Sequence, residues 1–152
     1  MSALNEDPYE VAKEKGLECV LPADDELQID IDDEASLKQY ERGITVLSEN
    51  GIIVTETKRT VSAGGNTHIY VKCELRASRN ASFWKRMFGQ GDKIDPMTRI
   101  ALQACLGSDR VRELLSILRI TSKSGRPPTV FFEKPAVTMV TPVNRQVHVE
   151  GT

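Results

Sequence analysis

No apolar run in this chain of 152 residues approaches the ~20 residues that a membrane-spanning helix requires. The opening Met1-Ser2-Ala3-Leu4-Asn5-Glu6-Asp7 lacks the basic start and apolar stretch of a secretory leader, so the expectation is a cytoplasmic protein with no membrane partner. Cysteine is sparse. Cys19, Cys73 and Cys105 lie far apart, with no C-x-x-C pair and no histidine nearby, which argues against a structural zinc site or a disulfide framework and leaves buried thiols as the expectation. Internal repeats and low-complexity tracts are absent as well.

What is present suits a folded domain. The length matches one unit spanning 1–152, since domains commonly run ~100–150 residues, and a chain of this size buries roughly 68–70% of its unfolded surface without a covalent staple. The net charge of −2 conceals a split. Residues 1–34 hold 12 acids and 2 bases, a net of −10, while residues 35–152 hold 10 acids and 18 bases, a net of +8. An acidic head (residues 1–26 and the carboxylates that follow) beside a basic remainder suits metal or phosphate chemistry, or two surfaces docking on each other.

Hydrophobic patterning places the elements. Asp7-Pro8 opens a short helix that Gly16 stops. Leu27-Gln28-Ile29-Asp30-Ile31-Asp32 alternates strictly, so one strand face is apolar and the other carries Gln28, Asp30 and Asp32. Asp33 or Ser36 caps a helix with Leu37, Tyr40, Ile44 and Leu47 at helical spacing, and Asn50-Gly51 ends it. Two strands, 52–61 and 67–75, flank the loop Ser62-Ala63-Gly64-Gly65-Asn66. Asp95-Pro96 opens a helix to Gly107, and Ser108 caps another whose Val111, Leu114, Leu115 and Leu118 read as core, with Arg99, Arg110, Arg112 and Arg119 exposed. A strand follows at 129–133, and 135–152 reads as a last edge strand or an arm on a partner. The order predicts an α+β fold, a small and mostly antiparallel sheet with helices on one face.

The chemistry concentrates at few positions. Carboxylates at i and i+2 of a strand project from one face about 6–7 Å apart, and Mg²⁺ or Mn²⁺ prefers such oxygen ligands together with substrate phosphates. Asp30 and Asp32 form that pair; solvent-facing acids of an edge strand are the plain alternative. His68 begins the strand after the glycine loop, on the face opposite Ile69 and Val71, so it is expected to join the two aspartates on an open sheet face. The amides of Ser62 to Asn66, Gly64 and Gly65 among them, offer a phosphate cradle, with Lys58, Arg59 and Lys72 near enough in sequence to add charge. Arg76, Arg79, Lys85 and Arg86 interleave with Phe83, Trp84, Met87 and Phe88, a pattern that suits phosphate contacts with base stacking and equally suits an amphipathic helix.

The order Ile29-Asp30-Ile31-Asp32, helix, then a hairpin carrying Ser62-Ala63-Gly64-Gly65-Asn66-Thr67-His68-Ile69-Tyr70 resembles the catalytic core of archaeo-eukaryotic-type primases and primase-polymerases, over residues 27–75. The resemblance implies an RRM-like β-α-β-β core and a metal site of Asp30 and Asp32, with Glu133 as the third acid. It further implies a triphosphate contact from His68 and partners that include a nucleoside triphosphate and nucleic acid. A non-enzymatic nucleic-acid- or protein-binding module, a homo-oligomer or partner subunit, and a metal-dependent nuclease on the same carboxylates are the alternative expectations.

Overall fold

Asp7 sets the first element: its carboxylate accepts from the Tyr9 amide and Pro8 fills the first turn of α1 (Pro8–Glu14). There follow β1 (Glu18–Val20), β2 (Glu26–Ile31), α2 (Glu34–Glu49), β3 (Ile52–Val61) and β4 (Thr67–Leu75). Then come α3 (Pro96–Cys105), α4 (Arg110–Thr121) and β5 (Phe131–Glu133). This computed structural model describes residues 6–62, 64–75 and 93–135. The basic-aromatic candidates Arg76, Arg79, Trp84, Lys85 and Arg86, and residues 136–152, lie outside the described residues. Among the described residues no helix is long and apolar enough to cross a membrane.

The fold is α+β, with a three-stranded antiparallel sheet in the order β2-β4-β3 and a separate antiparallel pair of β1 and β5. Strand β4 lies between β2 and β3, so the two strands joined by α2 run parallel and are split by β4. The apolar alternation predicted for β2 and β4 holds. Leu27, Ile29, Ile31, Ile69, Val71 and Cys73 form one buried face against Tyr40 of α2, Leu102 of α3 and Leu106 just past its end, with Leu37, Ile44 and Leu47 packed beside them. Each such side chain contributes about 1.5–3 kcal/mol when fully buried. Gly107 allows the end of α3 to meet the start of α2: its φ is +82°, and a Cβ there would lie 2.4 Å from the Ser36 carbonyl oxygen.

A β-bulge between Glu56 and Lys58 reverses the alternation of β3. Before it, Ile52 and Glu56 face the helices, where the Glu56 carboxylate accepts from Tyr40. After it, Lys58 pairs across from Tyr70 and Thr60 across from His68, on the opposite face.

Strand β2 is an edge strand, and its outer backbone groups are satisfied by side chains rather than by another strand. The Gln28 amide donates to Gln103 Oε1 at 2.9 Å, and the Asp30 amide donates to Ser108 Oγ at 3.0 Å. Arg112 donates to the Gln28 carbonyl at 2.8 Å, Arg99 to the Glu26 carbonyl at 3.0 Å, and the Asp109 amide to the Asp30 carbonyl at 2.9 Å. Behind these groups lies Glu113, whose carboxylate takes hydrogen bonds from Arg112, Ser108 and Gln103. Covering an edge in this way blocks edge-to-edge pairing.

This edge explains where the sequence-based expectations fail. Arg99 is buried and Arg112 largely so, because β2 needs donors. Helix α4 turns Glu113 and Ser116 inward and leaves Val111, Leu114 and Leu118 exposed, the reverse of its expected stripe. Its cap is Asp109, which accepts from the Val111 and Arg112 amides, because Ser108 is committed to Asp30 and Glu113. Of the cysteines only Cys73 is buried, while Cys19 is half-buried and Cys105 is exposed.

Burial raises the Glu113 carboxyl above its usual range, against the opposing pull of Arg112, Ser108 and Gln103, and the same burial lowers Arg112. Replacing Arg112 with Leu strands that carboxylate, so urea denaturation is expected to show a loss of about 3–5 kcal/mol, the cost of breaking a buried pair by removing one partner. Lys38→Ala, which breaks the exposed pair with Glu34, is expected to cost under about 1 kcal/mol.

Candidate functional site

Asp30 and Asp32 leave β2 on the face away from the helices, and Asp109 reaches them from the start of α4. One carboxylate oxygen from each of the three lies within 4.8 Å of the others. Asp109 belongs to this group because its amide is bonded to the Asp30 carbonyl, which fixes its side chain beside the strand end. The sequence pattern points to Ser108 as the cap of this helix and does not mark Asp109. Asn66 holds the third position in place, donating to Asp32 Oδ1 at 2.7 Å.

Gathering these acids has an electrostatic cost. Burial raises the Asp30 carboxyl foremost, with Asp109 adding to it and His68 and Arg112 opposing. Asp32 is raised by burial, then by the charges of Asp109, Asp30 and Asp33. Asp30 Oδ1 is buried and has no hydrogen-bond donor among the described residues. Ligand oxygens stand ~2.0–2.2 Å from a small divalent ion, so two span roughly 4 Å, and a separation of at most 4.8 Å closes with a shift of several tenths of an ångström. An orphaned buried oxygen among close carboxylates fits a cation.

His68 is placed differently from the open face expected of it. Phe131 of β5 stacks on its ring, with centroids 3.9 Å apart and planes 4° from parallel, and Tyr70 meets Phe131 edge-on. Glu133, the expected third metal ligand, lies behind the ring instead of with the aspartates. Its Oε1 is 2.6 Å from His68 Nδ1 and accepts from Tyr70 and Thr60 at 2.8 Å each. Burial alone would raise Glu133, but the hydrogen bonds from His68, Tyr70 and Thr60 outweigh it and hold the carboxyl below its usual range. An ionised carboxylate only accepts, so Nδ1 is the donor and Nε2 is left facing Asp30 Oδ1, 3.8 Å away.

Asp30 and Asp109 line a cleft of about 400 Å³, within the range of small-molecule sites, roughly 300–1,000 Å³. Its walls include Lys15, Arg119 and Arg112, an apolar stretch of Leu17, Leu115 and Phe132, and Ser62 and Gly64 from the loop. The other expected nucleotide contacts are spent elsewhere. The amides of Ser62, Gly65 and Asn66 close the turn on Asn66 O, Ser62 O and Ser62 Oγ, so they do not form the expected phosphate cradle. Arg59 pairs with Glu56, Lys72 with Asp25 and Glu74, and Lys58 lies over the Tyr70 ring. Arg119, expected to be exposed, is half-buried and lines the cleft with Lys15; no sequence pattern marks either, because their approach to it depends on how α1 and α4 pack.

The Glu133 cluster generates a pH prediction. A depressed carboxyl contributes stability that is complete above its ordinary value of 4.5 and is lost as pH falls through its lower folded value. Glu133→Gln is expected to flatten the acid limb of a stability-versus-pH curve below that value. At neutral pH it is expected to lower stability by about 1–3 kcal/mol, the cost of poorly satisfied buried donors; an unchanged acid limb would show that Glu133 carries no such linkage. Comparison with protein-family models, with curated proteins and with solved structures found no match for this chain.

Proposed function

We propose that this chain is a divalent-metal-dependent, nucleotide-binding domain of the primase-polymerase kind that handles a nucleoside triphosphate beside nucleic acid. The observation that carries the reading is one cleft lined by both acids and bases. Asp30 and Asp109 line it together with Lys15 and Arg119, and Asp32 completes the carboxylate group. A triphosphate chelated to Mg²⁺ or Mn²⁺ has matching chemistry, a cation for the carboxylates and residual negative charge for the bases. The apolar stretch of Leu17, Leu115 and Phe132 gives the uncharged part of a nucleotide a surface that excludes water. Arg112 orders the site without offering free charge, because Glu113 neutralises it. When bound, the ion offsets charge on the phosphates and aligns an attacking hydroxyl. The chain's own residues supply position and charge, with Asn66 fixing Asp32 and the β2 edge fixing Asp109.

The exposed Val111, Leu114 and Leu118 favour a second reading, a non-enzymatic module that binds a protein through α4. Metal separates the two, and a nuclease would cleave nucleic acid without added nucleotide.

In a thermal-shift titration, Mn²⁺ with a nucleoside triphosphate is expected to stabilise the wild type by about 2.7 kcal/mol at one hundred times Kd. Asp30→Asn and Asp109→Asn are expected to abolish the response. Arg119→Ala is expected to keep the response to Mn²⁺ alone and weaken nucleotide binding about tenfold, since a hydrogen bond to a charged group is worth ~1.5–3 kcal/mol. Equal responses in wild type and the aspartate variants would rule out the carboxylate site.

A further inference from the structure

The carboxylates are not the whole of this site. The His68 side chain is only 7% exposed and its Nδ1 is bound to Glu133, yet Nε2 makes no hydrogen bond among the described residues. The atom it faces is Asp30 Oδ1, itself buried and without a donor among those residues, at 3.8 Å. The imidazole nitrogen and the buried Asp30 oxygen thus stand 3.8 Å apart, a gap too long for a hydrogen bond. One ion with nitrogen and oxygen ligands at ~2.0–2.2 Å spans up to roughly 4 Å. The geometry behind the ring has the same logic. Histidines that ligate metals typically donate their other N–H to a carboxylate, which fixes the tautomer and ring orientation, and Glu133 does this at 2.6 Å while Phe131 holds the ring plane.

We infer that His68 Nε2 is a ligand of the ion held by Asp30, with Glu133 as its positioning residue, so that the site takes Mn²⁺, Co²⁺ or Zn²⁺ in preference to Mg²⁺. The inference rests on the proposed carboxylate metal site and reassigns two of its members. His68 moves from the triphosphate to the metal, and Glu133 moves from the metal to the histidine. The preference follows from ligand type. Imidazole nitrogen suits the borderline transition ions, whereas Mg²⁺ takes oxygen ligands and dehydrates reluctantly. Asp32 and Asp109 lie with Asp30 in one close carboxylate group, secured by Asn66 and the Asp30 carbonyl, and His68 stands outside that group, so its Nε2 reaches the ion from the Asp30 Oδ1 side.

The test is pulsed EPR of the untagged full chain loaded with Mn²⁺, read for modulation from a directly bound ¹⁴N. The expected wild-type spectrum carries that modulation, and His68→Gln loses it. Glu133→Gln is expected to lower Mn²⁺ affinity by about 10–100-fold, the usual cost of removing a partner behind a ligand, with near-UV circular dichroism unchanged and Mg²⁺ affinity nearly so. If His68→Gln fails to fold, His148→Gln takes its place: modulation kept there assigns the nitrogen to His68, and modulation lost there overturns the assignment. Bound Mn²⁺ without ¹⁴N modulation, or modulation that persists in His68→Gln, overturns the histidine assignment and leaves the carboxylate reading standing. No bound Mn²⁺ signal at all overturns both.

Discussion

The structure depends on how the outer edge of β2 is satisfied. An exposed strand edge presents amides and carbonyls that must find partners, and here the partners come from helices. Gln103, Ser108 and Arg112 bond the backbone of Gln28 and Asp30, and Glu113 ties the three donors together from behind. A buried ion pair contributes little net stability by itself, because desolvating both charges costs about as much as their attraction returns. Its effect is on register. The placement of α4 that satisfies Gln28, Asp30 and Glu113 together also sets Asp109 beside Asp30.

The same placement orders the far side of the sheet. Arg112 lies over the Phe131 ring, 4.4 Å from its centroid, and donates to the Val130 carbonyl. Phe131 in turn covers His68, and two residues further along Glu133 collects His68, Tyr70 and Thr60. The β3 bulge is part of this arrangement, since without the reversal Thr60 would face the helices. One chain of contacts therefore runs from the β2 edge through Arg112 and Phe131 to the imidazole, and the aspartates and the histidine are positioned by the same packing.

Much of the frame was legible in the sequence because it depends on local pattern. Strict alternation marked β2, helical spacing with Asp33 marked α2, and the glycine pair marked the turn between β3 and β4. The Asp30 and Asp32 pair followed from the same alternation. What escaped depends on long-range contact. Strand β1 is three residues long and pairs with β5 at the other end of the described chain. Asp109 carries no signal in the sequence pattern, and Arg112 reads as a solvated helix position, since periodicity cannot show that a strand edge needs donors. The apolar stripe of α4 misled for that reason: Leu114 and Leu118 carry the helical spacing of a core face, while the inward face is set by Glu113 and Ser116. Glu133 was found as a residue of interest, but its partner was not, because the tertiary fold decides whether a carboxylate meets a metal or a histidine.

The most direct measurement is anomalous diffraction at the manganese edge from crystals of the protein grown with Mn²⁺. A peak enclosed by Asp30, Asp32 and Asp109, with Glu133 still bonded to His68 Nδ1, is the predicted result. A peak ligated by Glu133, or Mn²⁺ bound only away from the aspartates, would contradict the claim that the β2 edge assembles the site.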